Sequence, residues 1–228
     1  MFNNKTVSVV IPAYNEEETI GDTIAAVKAG QWADEIVVVD DGSRDGSRKA
    51  AARAGAAVVS IRRNKGKGNA MNEGVWQTRG EVVVFIDADL GESAVETLKL
   101  VEAVASGRCD LAVGSFTTPG GFGIAKRTAR WGVRKLGGIS ISAPMSGQRA
   151  MARPVLKAAY PFQKDFGVEV KMLIDTARAG FRVLEIPVDM RHRASGRNFA
   201  GFIHRGKQFW SVLKALTIAL VKRRRVRQ

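Results

Sequence analysis

Short apolar runs alternate with amphipathic stretches through the first half of this chain. The runs Val7–Ile11, Glu35–Val39, Ala56–Ile61 and Glu81–Ile86 are typical of buried strands, and the segments between them have helical periodicity. Strands separated in this way form βαβ units around a mostly parallel sheet whose faces are covered by helices. The sequence therefore predicts the α/β class, in which ligands gather at the carboxyl ends of the strands.

The remaining elements extend this pattern through a single domain without internal repeats. In the first half, the predicted helices are Glu16–Ala29, Arg44–Ala54, Lys67–Thr78 and Ala94–Ser106, followed by a strand near Asp110–Val113. In the second half, the predicted elements are helices Ile124–Leu136, Arg153–Ala159, Val168–Ala179 and Phe202–Val221 and an extended segment, Arg182–Ile186. The Pro144–Gln148 segment is predicted to be a loop that enters the second of these helices.

Composition places the chain among ordinary globular proteins. With 228 residues, 45% hydrophobic and 25% charged, it suits one domain, with or without an appended segment. Its single cysteine, Cys109, excludes an internal disulfide and lies between apolar stretches, which predicts a reduced, buried thiol. The chain shows no amino-terminal signal, and its apolar stretch Ala215–Val221 is too short to span a bilayer. The expected compartment is the cytoplasm.

Positive charge is concentrated near the end of the chain. The net charge is +14, and eleven Lys or Arg residues but no acid follow Asp189, so the preceding part carries only +3. Such a distribution suits anionic partners, namely lipid headgroups, phosphorylated substrates or nucleic acid.

Two carboxylates follow directly on the apolar run that begins at Glu81. Asp87 and Asp89 are one residue apart, so their side chains leave an extended backbone on the same side. Neighbouring carboxylates repel each other unless a cation lies between them, and Mg²⁺ or Mn²⁺ prefers oxygen ligands. The pair therefore indicates a divalent metal site, although Asp is also common in ordinary turns at strand ends.

Polar clusters follow three of the predicted strands, at Pro12–Glu16, Asp40–Ser43 and Asp87–Asp89. Parallel strands bring such clusters to one edge of the sheet, where packing alone does not explain them. The phosphate-binding pattern of dehydrogenases, G-x-G-x-x-G, is not completed after Gly66, because Met71 stands where its last glycine is needed. The P-loop pattern, G-x-x-x-x-G-K-[ST], does not occur either.

Four motifs in register resemble those of a known enzyme family. They are Val9–Glu16, Val39–Ser43, Asn64–Asn69 and Asp87–Asp89. In this order they resemble the nucleotide-sugar glycosyltransferases of the GT-A fold, family 2 and its relatives, over about residues 5–114. The resemblance implies a Rossmann-like, mostly parallel sheet flanked by helices, and a metal-dependent transferase with Mn²⁺ or Mg²⁺ as cofactor.

The resemblance also implies roles for individual residues. Asp87 and Asp89 hold the metal on the diphosphate, where a cation neutralises the charge of the leaving group. Asp89 and Glu169 are the predicted catalytic residues, Glu169 on the acceptor side, although an acid at a helix start is also favoured by the helix dipole. The predicted nucleotide and phosphate contacts are Pro12, Tyr14, Glu16, Val39, Asp41, Lys67, Asp87, Ala88, Lys171 and Arg193.

Two subfamilies compete for the second half. Pro144–Gly147 resembles a loop of the polyprenyl-phosphate sugar synthases, in which Lys171 and Arg193 fall at phosphate-contacting positions. Gly91, Phe116 and Phe199 depart from that pattern, standing where a metal-coordinating Gln, an Arg and a Lys are usual.

Phe166–Val170, Leu173–Thr176 and His192-Arg193 instead resemble retaining enzymes of the glucosyl-3-phosphoglycerate synthase type. That likeness makes His192 a third metal ligand, delivered by a loop after the last strand. A lone histidine in an arginine-rich loop is otherwise a surface residue.

The end of the chain is predicted to form a basic amphipathic helix. Residues 1–200 are taken as the GT-A domain, with a nucleotide and metal half over 1–114 and an acceptor half over 115–200, and residues 201–228 as the terminal helix. The apolar positions of this helix are Phe202, Phe209, Trp210, Leu213, Leu216 and Leu220. Such a helix lies in a membrane interface or packs on its own domain, and the first case predicts peripheral contact with the inner face of the membrane.

The sequence thus predicts transfer of a sugar from a nucleoside-diphosphate sugar to a phosphate-bearing acceptor such as polyprenyl phosphate or phosphoglycerate. One alternative is a nucleotidyltransferase that makes such sugar donors, but its usual glycine-rich loop is replaced by Pro12–Glu16. The other is a basic nucleic-acid-binding protein, which the net charge of +14 supports and the lack of a recognised motif opposes.

Overall fold

The computed structural model describes residues 1–116, 123–163, 167–191 and 210–221. Within these ranges seven strands form one sheet in the order β3-β2-β1-β4-β6-β5-β7. The strands are β1 (Val7–Ala13), β2 (Glu35–Asp40), β3 (Ala57–Ser60), β4 (Val82–Phe85), β5 (Leu111–Phe116), β6 (Arg149–Ala152) and β7 (Val183–Val188). The predicted α/β class is confirmed.

Helices cover both faces of this sheet, and two separate apolar clusters fill the space between helices and strands. The helices are α1 (Ile20–Ala29), α2 (Ser47–Arg53), α3 (Lys67–Trp76), α4 (Leu98–Ala105), α5 (Ile124–Gly137), α6 (Arg153–Ala159), α7 (Val168–Arg178) and α8 (residues 210–221). The predicted helix Ala94–Ser106 is divided, because a 3₁₀ helix over Gly91–Thr97 precedes α4.

The parallel part of the sheet brings the predicted polar clusters together. Strand β1 pairs in parallel with β2 on one side and with β4 on the other, and β2 pairs in parallel with β3. Every residue of β1 except Pro12 is buried, as expected for a central strand covered on both faces. The carboxyl ends of β1, β2 and β4 therefore lie side by side at one edge of the sheet.

Strand β6 was not predicted from the sequence. It lies antiparallel between β4 and β5, with Phe85 opposite Arg149. Its four residues, Arg-Ala-Met-Ala, lack the β-branched and aromatic side chains that mark strands, so the sequence predicted only a loop entering α6. Because β6 begins where β4 ends, Gln148 and Arg149 lie beside the carboxylates that follow β4.

Helix α8 packs on the domain through small side chains. Val212, Ala215, Leu216 and Ala219 are buried, and a Cβ at Gly167 would lie 2.4 Å from the carbonyl oxygen of Ser211. The large apolar side chains were expected to form a single stripe on one face of this helix. Among the described residues they do not, because Leu216 faces the core whereas Trp210 and Leu220 face outward. The buried alanines allow α8 to approach the domain closely. A prediction based on large apolar side chains alone does not include them.

Cys109 is buried, as predicted, and burial raises the pKa of its thiol to about 11. A buried thiol that stays protonated is a packing residue and a poor nucleophile. Among the described residues, no helix combines the length and the apolar character that crossing a bilayer requires.

Candidate functional site

Asp87 is held in a fixed orientation at the end of β4. The ammonium group of Lys67, the first residue of α3, lies 2.5 Å from Asp87 Oδ1. The side-chain amide of Gln148 donates to Asp87 Oδ2 over 2.7 Å, and its oxygen accepts the backbone N–H of Asp87 at 3.0 Å. Both carboxylate oxygens are therefore oriented by partners from two other elements.

Lys67 joins this carboxylate to the second half of the chain. Its Nζ also lies 3.0 Å from Glu169 Oε1, in the first turn of α7. Burial opposes the charge of Lys67, but the carboxylates of Asp87 and Glu169 outweigh burial and raise its pKa. The amine therefore stays protonated, and two predicted site residues, Asp87 and Glu169, meet around one half-buried cation.

Arg149 is completely buried behind the same cluster. Its guanidinium donates to the carbonyl oxygens of Ser146 (2.9 Å), Pro144 (2.9 Å) and Glu169 (2.8 Å). Burial lowers its pKa to about 10, against the opposing effect of the Glu169 and Asp87 carboxylates, so it remains charged at neutral pH. Arg149 thus fixes the loop before β6 to the start of α7.

Gly147 lies directly against the Asp87–Lys67 pair. A Cβ at this position would be 2.5 Å from Asp87 Oδ2 and 2.6 Å from Lys67 Nζ. Glycine is therefore required by close approach, since any side chain would displace the ion pair. Sequence reasoning missed Gln148 and Arg149 as site residues, although they directly follow the Pro144–Gly147 loop that carried the family resemblance.

Asp89 and Glu16 add negative charge to this edge of the sheet. Asp89 is half-buried after β4, and Glu16 follows β1, the neighbouring strand. Burial raises the pKa of Glu16, and the nearby carboxylates of Asp89, Asp45 and Asp87 raise it further. A region in which carboxylates disfavour one another's ionisation has the oxygen donors and the charge that suit a hard divalent cation.

The predicted metal ligands do not form a complete shell within the described residues. There, no group of three or more His, Cys, Asp or Glu side chains is placed to hold an ion. Asp87 and Asp89 fit Mg²⁺ or Mn²⁺ as oxygen donors. The predicted third ligand His192, and Arg193 beside it, lie outside the described residues.

The predicted nucleotide residues surround the ends of β1 and β2. Pro12 pairs with Val39 across these strands, and Tyr14 is 41% exposed, so its ring is accessible to a ligand. The carboxylate of Asp41 accepts the backbone N–H groups of Lys65 (2.9 Å) and Gly66 (2.8 Å). Burial raises the pKa of Asp41, and these two bonds counter that effect.

Two predicted contact residues lie away from this cluster. Lys171 pairs with Asp175 on α7, and its position two residues after Glu169 puts it on another face of the helix. Ala88 is buried, and its carbonyl oxygen accepts the hydroxyl of Thr23 at 2.9 Å. The structure therefore unites Asp87, Lys67 and Glu169 but not Lys171, and Ala88 serves to anchor the Asp87–Asp89 turn on α1.

Comparison with known proteins agrees with this arrangement. Residues 8–155 match the family model described as glycosyl transferase family 2. The chain is 32% identical over 197 residues to glucosyl-3-phosphoglycerate synthase of Mycolicibacterium smegmatis, covering 75% of this chain and 64% of the relative. It is 44% identical over 111 residues to undecaprenyl-phosphate 4-deoxy-4-formamido-L-arabinose transferase of Pseudomonas fluorescens, covering 44% of this chain and 33% of the relative. The chain thus spans less than two thirds of the length of these relatives.

Solved structures extend the likeness to the fold. Glucosyl-3-phosphoglycerate synthase from Mycobacterium tuberculosis, in complex with Mg²⁺ and uridine diphosphate, superposes with a TM-score of 0.82 at 29% identity, covering 95% of this chain and 79% of that chain. The same enzyme with Mn²⁺, uridine diphosphate and phosphoglyceric acid gives 0.80 at 29% identity, covering 95% and 78%. These matches confirm the predicted GT-A fold, and the chain belongs to glycosyl transferase family 2.

Proposed function

We propose that this protein transfers a hexose from a nucleoside-diphosphate sugar to a phosphate-bearing acceptor. The observation that carries the proposal is the contact of Lys67 with both Asp87 and Glu169. Asp87 belongs to the half with the nucleotide motifs, and Glu169 belongs to the half that the sequence assigns to the acceptor. Family membership favours this interpretation over the nucleotidyltransferase and nucleic-acid-binding alternatives.

Asp87 and Asp89 are the proposed ligands of Mn²⁺ or Mg²⁺, with His192 as the third. The bound ion would neutralise negative charge on the departing nucleoside diphosphate. The related enzyme from Mycobacterium tuberculosis has been solved with each of these ions together with uridine diphosphate, which supports the assignment.

The side chains around the metal ligands have separate tasks in this proposal. Pro12, Tyr14 and Val39 line the nucleoside, and the cation of Lys67 faces the diphosphate side. Glu169 keeps Lys67 protonated and in position. A polyprenyl phosphate would attack through an oxygen that is already ionised and would need no base, whereas transfer to a hydroxyl group of phosphoglycerate would need a carboxylate base near the acceptor. Gln148 and Arg149 hold Asp87 and α7 in position.

The acceptor is proposed to carry phosphate, as polyprenyl phosphate or phosphoglycerate does. The names of both relatives include a phosphorylated compound, phosphoglycerate in one and undecaprenyl phosphate in the other. Helix α5, in the acceptor half, has five basic residues and no acid. Arg193 is proposed as a further phosphate contact, whereas Lys171 is paired with Asp175 away from the Lys67 cluster. The positive electrostatic potential of these basic residues would concentrate and orient an anionic acceptor.

Turnover with defined acceptors tests this proposal. A thermal-shift panel of UDP-, GDP- and ADP-sugars with Mn²⁺ identifies the donor, because a bound ligand raises the melting temperature according to its occupancy. With that donor, we expect transfer to phosphoglycerate or polyprenyl phosphate to exceed transfer to unphosphorylated glycerate or polyprenol at least tenfold. Equal or preferred use of the unphosphorylated analogues would contradict the phosphate-bearing acceptor.

We further propose that α8 contacts an anionic membrane surface on its cytoplasmic side. Opposite its buried stripe, Trp210, Lys214, Thr217 and Val221 form a second stripe with helical spacing. Trp210 is 72% and Val221 52% exposed, and the basic residues 222–225 follow in sequence. An aromatic residue beside cations suits the lipid headgroup region, so the helix is proposed to pack on the domain and contact lipid with opposite faces.

Flotation with phosphatidylglycerol vesicles tests the membrane contact. We expect the wild-type protein to float, and Trp210→Glu to reduce the floated fraction several-fold because a carboxylate replaces an interfacial aromatic. Trp76→Glu is the matched control, since Trp76 on α3 is equally exposed at 72%. Equal losses in both variants, or no flotation of the wild type, would exclude a specific role for α8.

A further inference from the structure

The segment between β2 and the start of α3 is much more basic than its surroundings. Residues 44–67 include eight Lys or Arg residues and only one acid, Asp45. The part of the chain up to Asp189 carries a net charge of only +3, so this concentration is not a general property of the protein. Clustered charge of one sign indicates a place where an oppositely charged partner is attracted.

A cleft of about 560 Å³ lies within this segment. It is bordered by the loop after β2, by α2 and by the end of β3 and is half open to solvent. Four cationic side chains line it, Arg44, Arg48, Lys49 and Arg62. The hydroxyl-bearing residues Ser43 and Ser60 complete the polar part of its wall.

The acids of this cleft are engaged by the backbone of their own loop. Asp40 is only 5% exposed and accepts the N–H of Ser43 at 3.0 Å. Asp45 accepts the N–H groups of Ser47 (3.0 Å) and Glu17 (3.2 Å). Within the described residues, no ion pair involves any of the four cations. Because the carboxylates of Asp40 and Asp45 also line the cleft, the four cations leave a net charge of +2 for a ligand to balance.

We propose that this cleft binds a small molecule that carries two or more phosphate groups. Guanidinium groups pair with phosphate through two parallel hydrogen bonds, and three of the four cations are arginines. The four cations come from the loop after β2, from α2 and from the segment that follows β3, so the wall offers contacts to more than one phosphate group. A half-open cleft of this volume, bordered by three elements, suits a compact ligand better than an extended lipid or polymer surface.

This cleft adjoins the nucleoside end of the proposed donor site, at Val39 and Asp41, but lies away from the proposed diphosphate position. In the strand order β3-β2-β1-β4, the end of β3 is three strand spacings from the end of β4, which is about 14 Å. Asp87, which marks the diphosphate position, follows β4, whereas Arg62 follows β3. The inference therefore does not depend on the proposed transfer reaction.

Titration of the ¹⁵N-labelled full-length protein with tripolyphosphate tests the inference. EDTA is included, so that no divalent ion can recruit the probe to Asp87. We expect saturable shifts of the backbone amide signals of Gly42, Gly46 and Ile61. The double variant Arg48→Ala/Arg62→Ala should weaken binding about tenfold or more, because two charge-assisted contacts are lost.

Arg53→Ala is the matched control, because Arg53 is exposed on the same helix, α2, but does not line the cleft. It should change the dissociation constant less than twofold. Phosphatidylglycerol vesicles should leave the three amide signals unchanged, and shifts there with vesicles alone would overturn the small-molecule site. Shifts that instead centre on Asp87 and Gly147, or that are the same in the double variant, would also overturn it.

Discussion

Asp89→Ala is expected to lower the rate of sugar transfer about a thousandfold while the fold survives. A metal that neutralises leaving-group charge contributes several kcal/mol to the transition state, and each 1.36 kcal/mol is a factor of about ten in rate. Asp89 suits the test better than Asp87, because Asp87 also holds Lys67 and Gln148 in place. Steady-state assays with Mn²⁺ and the best donor measure the effect.

Two measurements separate loss of the metal from loss of structure. Calorimetric titration with Mn²⁺ should show at least tenfold weaker binding in Asp89→Ala, with the thermal unfolding midpoint of the metal-free protein unchanged within a few degrees. Asp22→Ala is the matched control, an exposed acid on α1 outside the cluster, and should behave as wild type. Wild-type turnover by Asp89→Ala would refute the proposed metal site.

The proposed nucleotide side of the site could be placed from the sequence because its strands and the polar residues after them follow local rules. Strands β1, β2 and β4 are apolar, and each is followed directly by polar residues. Parallel pairing then places Pro12, Asp41 and Asp87 at one edge without any knowledge of tertiary contacts. Fold class and the position of this edge follow from such patterns alone.

The proposed acceptor side could not be predicted in the same way. Strand β6 consists of Arg, Ala and Met, which carry little strand signal, yet the sheet places it centrally between β4 and β5. Contacts of Lys67 with Glu169, and of Gln148 with Asp87, join residues far apart in sequence. No periodicity encodes such pairings, because they depend on how the two halves of the sheet are joined.

Arg149, which is completely buried, is the clearest example of a site residue that sequence patterns do not identify. From sequence, Arg149 is one basic residue among many in a chain with a net charge of +14. In the structure it is 0% exposed and its three hydrogen bonds hold the loop that carries Gly147 against the start of α7. The site therefore depends on a cation that is directed at backbone oxygens and not at a ligand.

Arg149→Met is accordingly expected to lower the free energy of unfolding by about 3–5 kcal/mol. Methionine fills much of the same space, but the carbonyl oxygens of Pro144, Ser146 and Glu169 lose their donor in a region closed to water. The carboxylates of Asp87 and Glu169 also lose a compensating charge. Urea denaturation with an unchanged m-value measures the loss as a shift of the midpoint.

Arg153→Met provides the matched control for this effect. Arg153, at the other end of β6, is half-buried and donates from Nε to a single carbonyl oxygen, that of Gly80, at 2.8 Å. Because one neutral acceptor is involved, the expected loss is about 1 kcal/mol. A loss in Arg149→Met no larger than that in Arg153→Met would show that the buried cation does not hold the acceptor side together. A much larger loss in Arg149→Met would show that β6 stabilises the site through its charged end.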